Sequence, residues 1–402
     1  MFLEILLAIY IGCLLGVVTG LVPGVHINLV AVMLLSASPF LLQFVNPIIL
    51  GALIVAMSIA HTFLDFIPSV YLGVANEDTA MGALPGHKML LSGMAQEAVK
   101  LTVIGGIFGL AIIILALPAA LFIVPVIYSG VEPMIGWILL FFVLFLILNE
   151  RDANSKFWSF FIFVLSGVLG IFALGIPNVP NVLFPMLTGL FGVSLLINGL
   201  NSRITLPRQD SEKKVTLPKK LILKSSFAGA LAASMVSIFP GLGPAQAAAL
   251  VEKFFRRMGD YGYLIVIGCI NTVSMVFALI TTYTIGKARN GSIVAVDEIT
   301  GIGMNELALF VAVSVIAACF AAFLTLKISG IFCRAISRVN YRLLCICVIF
   351  FVIILTLAFS GLIGLLILSV ATSIGMLSVL LKTPKSYSMG CLLLPVILWF
   401  VM

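Results

Sequence analysis

The chain has 402 residues, 62% hydrophobic and only 9% charged, with mean hydropathy +1.28; soluble domains run about 45–50% apolar and about 25% charged, so no water-soluble fold hides this much apolar surface. The net charge of +7 comes from 22 basic residues spread among apolar runs, which excludes a nucleic-acid binder. Seven cysteines, odd in number and mostly inside apolar runs, exclude a secreted disulfide scaffold. The composition is that of an all-α polytopic membrane protein.

In chain order, the opening MFLEILLAIYIGCLLG lacks a basic flank and a small-residue cleavage site and carries Glu4. It is expected to belong to the mature fold rather than to a signal peptide. Residues 3–44 have room for two helices, with Pro23-Gly24 between them. Proline removes a backbone donor and glycine frees φ, so the segment reads as a re-entrant hairpin. Five apolar stretches follow near 47–73, 95–122, 133–149, 157–175 and 181–199, several at the short end for crossing about 30 Å of hydrocarbon. The polar linker 201–221, with charges of both signs, Pro207 and Pro218, reads as a solvated connector. A second hairpin, 222–256, is broken at Pro240-Gly241, and five more spans fall near 262–286, 305–326, 342–358, 361–381 and 386–401. Arg334, Arg338 and Arg342, four residues apart, make 329–342 a helix expected to lie on the membrane surface.

If both hairpins enter and leave on one side, 20 of the 22 Lys and Arg share a side, and only Lys287 and Arg289 fall opposite. The positive-inside bias then places the linker in the cytoplasm and both termini outside, in the plasma membrane of a prokaryote. Lys287 and Arg289 are expected to neutralise Asp297 and Glu298 in their own loop.

The two broken regions align at an offset of 217 residues, Pro23-Gly24 on Pro240-Gly241, Gly16 on Ala233 and Ala31 on Ala248. The next span of each half ends in a similar phrase, Leu72-Gly73-Val74-Ala75-Asn76 and Ile285-Gly286-Lys287-Ala288-Arg289. Each half (1–200 and 222–402) thus reads as one hairpin plus five spans. An odd number of crossings inverts the second half, the repeat plan of secondary transporters.

Irregular backbone in hydrocarbon is tolerated only when buried in protein or lining a wet cavity. A helix restarts after each Pro-Gly break with its free N–H groups and positive dipole end directed at the break, a way of holding an anion without a buried cation. The candidate substrate site is therefore Pro23, Gly24, His26 and Asn28 from the first break and Pro240, Gly241, Gly243 and Gln246 from the second. Asp65 lies deep in its span with His61 one turn before it, so both share a face and could hold a proton or help ligate Na⁺. In the other half, hydroxyls including Thr281 and Thr282, with Asn271, Thr272 and Ser274 nearby, could line a polar path and take part in cation coupling, or merely bond their own helix's carbonyls. Neither a nucleotide-binding motif nor a catalytic or metal-ligand constellation is present, so no enzyme activity and no cofactor beyond a coupling Na⁺ or H⁺ is expected.

These phrases, Gly20-Leu-Val-Pro-Gly24 and Phe239-Pro-Gly-Leu-Gly-Pro244, the stretch Ala83–Ala98, Ala371–Gly375 and Met389–Pro395, resemble the large membrane subunit (permease) family of the tripartite tricarboxylate transporters, in particular its shorter archaeal-type relatives. The resemblance implies uptake of a carboxylate-bearing anion coupled to Na⁺ or H⁺, with the two Pro-Gly motifs at the substrate site. It also implies help from a small membrane subunit and an extracytoplasmic binding protein; a homodimer is left open. A different class remains: carriers of polyprenyl-phosphate lipids also use paired re-entrant hairpins, and helix N-termini suit a phosphate equally well. A scaffold or intramembrane enzyme explains neither the repeat nor the breaks.

Overall fold

The computed structural model describes the chain apart from residues 23–26, 75–78, 151, 178, 180–181, 202–206, 208, 210–215, 239–243, 245–246, 249–257, 289, 337–339 and 402. Every regular element among the described residues is helical. The first half holds α1 (Phe2–Leu21), α2 (Ile27–Leu41), α3 (Pro47–Leu64), α4 (Phe66–Leu72), α5 (Ala80–Leu91), α6 (Ala95–Val131), α7 (Ile135–Leu148) and α8 (Ala153–Gly175). It closes with α9 (Leu183–Leu187), a π-helical turn (Thr188–Val193) and α10 (Ser194–Asn201). The second half holds α11 (Lys219–Ile238), α12 (Gly259–Ile285), α13 (Gly291–Thr300), α14 (Met304–Ile336), α15 (Tyr341–Leu380) and α16 (Gly390–Val401).

Local chemistry sets several of these boundaries. Asn46 caps α3 by accepting from Ile48 N, with Pro47 at the first helical position, where its missing N–H costs nothing. Asp152, Asn290 and Asn340 cap α8, α13 and α15 in the same way. Gly73 and Gly286 end α4 and α12 in the left-handed conformation that favours glycine. Within α15, Gly361 has φ 63° and ψ −160°, which divides 40 residues into two limbs.

Among the described residues, seven helical stretches are long and apolar enough to cross a membrane: 2–21, 47–72, 95–148, 153–175, 259–285, 304–336 and 342–380. The described residues of the ten expected spans are mainly helical, but the ends of the spans differ. The windows 95–122 and 133–149 fall in one continuous stretch, as do 342–358 and 361–381, while 181–199 and 386–401 lie in shorter helices. The reason is that a short 3₁₀ turn at Glu132–Met134 and a single glycine can redirect the chain without a polar loop. Leu115, Phe122, Phe141, Leu362 and Trp399 are all more than two-thirds exposed, an apolar outer face suited to lipid.

α3, α4 and α12 form the most buried part of the bundle. α1 lies on α3 through Gly12, Gly16 and Gly20. A methyl group there would come within 2.4 Å of Leu53 O, 2.7 Å of Met57 O and 2.8 Å of Leu64 Cβ, so only glycine lets the backbones approach this closely. α6 crosses α12 more tightly still, since a Cβ on Gly268 would sit 2.2 Å from Thr102 O.

Residues 82–88 belong to helix α5, in which His87, Met89 and Leu90 are buried and which packs on α4 and α6. Two local expectations are corrected. Residues 329–336 continue α14 rather than starting a separate surface helix, and 337–339, with Arg338, lie outside the described residues. α14 runs unbroken to Ile336 because Ser329 and Cys333 turn inward, where Ser329 takes the Tyr71 hydroxyl at 2.9 Å on its carbonyl. The linker is tied down at Gln209, which is buried, accepts from Ala95 N and donates to Leu90 O, thereby bridging α5 and α6.

Candidate functional site

Pro68 organises the centre of the site. Its ring lacks an N–H and crowds the carbonyl four residues earlier, so the α3–α4 helix is interrupted at Asp65. Asp65 and His61 both lie within the bundle, at 0% and 1% exposure. A carboxylate cannot be left there without polar neighbours. One neighbour comes from α12, where Asn271 Nδ2 donates to Asp65 Oδ2 at 2.9 Å and to Thr62 O at 3.2 Å. The Thr62 and Thr272 hydroxyls meet at 3.3 Å beside it.

His61 is oriented from the other side, by α1. Its Nδ1 lies 3.1 Å from Thr19 Oγ1, whose own proton is donated to Gly16 O. Nδ1 therefore donates to Thr19. Nε2 then faces Asp65 Oδ2 at 4.0 Å. The arrangement is a buried acid–histidine pair, oriented by Thr19 of α1 and by Asn271 of α12.

Of the expected site residues, Pro23, Gly24, His26, Pro240, Gly241, Gly243 and Gln246 lie outside the described residues. Asn28, at the first turn of α2, accepts from Ser292 N at 3.1 Å and so seats α2 on the N-terminus of α13. The structure brings His61 and Asp65 together as their spacing implied. Thr281 and Thr282 instead lie about 15 Å farther along α12 than Asn271, given a rise of about 1.5 Å per residue, and both donate to Ala278 O of their own helix. Sequence reasoning missed Thr19, a single hydroxyl in an apolar helix whose only clue is its place inside the Gly16–Gly20 stripe.

At one end of the bundle, Lys287 pairs with Glu132 at 2.7 Å and bonds Tyr128, which in turn bonds Glu132. For Lys287 this replaces the expected pairing with Asp297 and Glu298; Arg289 lies outside the described residues. Asp297 is used instead to accept from Ile302 N where α13 ends. The Glu132 and Tyr128 hydrogen bonds hold the Lys287 ammonium above its ordinary range.

Helices with an apolar outer face, packed around a sealed acid–histidine pair, define a multi-pass membrane protein with a polar centre. The chain matches the Tripartite tricarboxylate transporter TctA family over residues 6–390, nearly its whole length, and it belongs to that family of transporters. It is similar to an uncharacterized protein of Methanocaldococcus jannaschii, 29% identical over 98% of this chain and 99% of the relative. No solved structure matches it. The phosphorylated-lipid alternative gains no support from these comparisons.

Proposed function

We propose that the protein is a secondary transporter that takes up a di- or tricarboxylate anion together with a proton, with His61 and Asp65 as the proton-carrying pair. The 4.0 Å approach of His61 Nε2 to Asp65 Oδ2 in full burial carries this reading. Asn271 donates its amide N–H to Asp65 Oδ2, which fixes the carboxylate beside His61. The anion is held at the paired Pro-Gly breaks, by Pro23, Gly24, His26, Asn28, Pro240, Gly241, Gly243 and Gln246.

The halves 1–200 and 222–402 are read as inverted repeats joined by the linker 201–221, each with one re-entrant hairpin and five spans. Two pairs of packing details support this. Gly12 abuts Leu53 O and Ala56 Cβ, and Gly229 abuts Val266 O and Cys269 Cβ, glycines 217 residues apart against partners 213 apart. Gly73 and Gly286, also 213 apart, end the following helices in the same left-handed conformation. The basic side is assigned to the cytoplasm and both termini to the outside of the plasma membrane. Family membership makes a small membrane subunit and an extracytoplasmic binding protein the expected partners.

Uptake of labelled di- and tricarboxylates into proteoliposomes, with a pH gradient, a Na⁺ gradient or neither, tests the reading. Concentrative uptake under the pH gradient alone is expected. Uptake driven by Na⁺ alone would move the coupling away from the His61–Asp65 pair, and no carboxylate uptake under any gradient would reject the substrate class.

A further inference from the structure

A cavity of about 610 Å³ lies away from the acid–histidine pair, where the ends of helices from both halves meet. Its wall is formed by α5, the π-helical turn with α10, the start of α12 and the end of α15, and it includes Lys88, Lys382, Lys385, Asp260, Asn198 and Tyr263. Three cations face one acid across a volume within the range of small-molecule sites.

The three lysines differ in a way that matters for binding. Lys88 and Lys382 are exposed, and among the described residues neither ammonium has a carboxylate partner. Lys385 is buried and donates to Leu190 O at 2.8 Å, Ser194 Oγ at 2.8 Å and Gly375 O at 3.1 Å. All three acceptors are neutral, so they orient the ammonium without cancelling its charge. Burial pushes Lys385 down to about 7, and an anion nearby would restore its charged form. The placement of Lys382 is also specific. It occupies the left-handed position that ends α15, φ 55°, with Thr383 N bonded to Ser378 O and its own N bonded to Val379 O. Glycine is usual there, and lysine adds a cation to the cavity wall instead.

We infer that this cavity is a second anion site, which holds a multiply charged carboxylate on the basic side of the membrane between the central site and the cytoplasm. Lys88 and Lys382 engage the anion from the open side, and Asn198 supplies a neutral amide donor. Because its walls come from both halves, the cavity changes shape whenever they move against each other. This inference rests on the carboxylate-transport reading above. It goes beyond that reading in assigning residues that neither the Pro-Gly motifs nor the buried pair include.

The test is the double variant Lys88→Gln/Lys382→Gln in proteoliposomes with the protein inserted in a known orientation. Counterflow of citrate and of succinate is measured from each face separately. The expected result is a KM raised about tenfold or more at the basic face, larger for the tricarboxylate, with KM at the opposite face unchanged. Single variants should give intermediate shifts, and Lys88→Arg/Lys382→Arg should retain the wild-type KM. Equal KM values for wild type and double variant at the basic face, with transport intact, would overturn the second site while leaving the transport reading standing. Wild-type protein that moves neither acid would instead reject the transport reading.

Discussion

Replacing Asp65 by Asn tests the proton-carrying pair at small structural cost. The amide has the shape of the carboxylate, and its oxygen can accept from Asn271 Nδ2 at the present 2.9 Å. What is lost is the charge on that bond. A hydrogen bond to a charged group contributes about 1.5–3 kcal/mol and a neutral one about 0.5–1.5, so D65N should lose about 1 kcal/mol of stability and still fold. The functional effect is far larger. A gradient of one pH unit stores about 1.36 kcal/mol per proton, about a tenfold accumulation for one proton per anion. With the membrane potential clamped, wild-type vesicles should approach that ratio, whereas D65N should equilibrate the anion at a ratio near one. Carboxylate counterflow, which needs no net proton movement, should persist in the variant. Tenfold accumulation by D65N would refute the assignment, because an amide cannot take up the proton. His61→Gln provides the second arm, with the same loss of accumulation expected.

Three further outcomes follow from the packing and the charges. Gly268→Ala places a methyl group 2.2 Å from Thr102 O and should cost about 1–3 kcal/mol; Gly130→Ala, with nothing within 4 Å, should leave the melting temperature in detergent unchanged or raised. Burial holds the His87 imidazole down at about 4, against a weaker opposing hydrogen bond to the Val70 backbone. Between about pH 6.5 and 4 the unfolded chain therefore binds a proton that the folded chain does not, so stability should fall as pH drops through that window, by an amount of the order of 3 kcal/mol. His87→Gln should flatten this slope in thermal melts between pH 7.5 and 4.5. Lys287→Met removes an ion pair whose side chains are nearly half exposed, 45% and 46%, so it should cost no more than about 1 kcal/mol, an effect that salt erases in the wild type.

Much of this molecule was legible in its sequence. The described residues of the ten apolar windows are mainly helical, the helix ends at Gly73 and Gly286 follow from glycine's access to positive φ, and the spacing of four between His61 and Asp65 set them on one face. These are local properties, which the chain states within a turn or two. Only the tertiary structure decided which helices face one another. It paired Asp65 with Asn271, 206 residues away, His61 with Thr19, and Lys287 with Glu132 rather than with the acids of its own loop. The physical reason lies in the solvent. In water an apolar stripe marks the face a helix buries. In lipid every face is apolar, so hydrophobic periodicity is uninformative and association is set by small residues and scarce polar groups. Gly12, Gly16 and Gly20 show it on α1: their spacing is plain in the sequence, but that they receive α3, and so bring Thr19 to His61, is a property of the folded bundle alone.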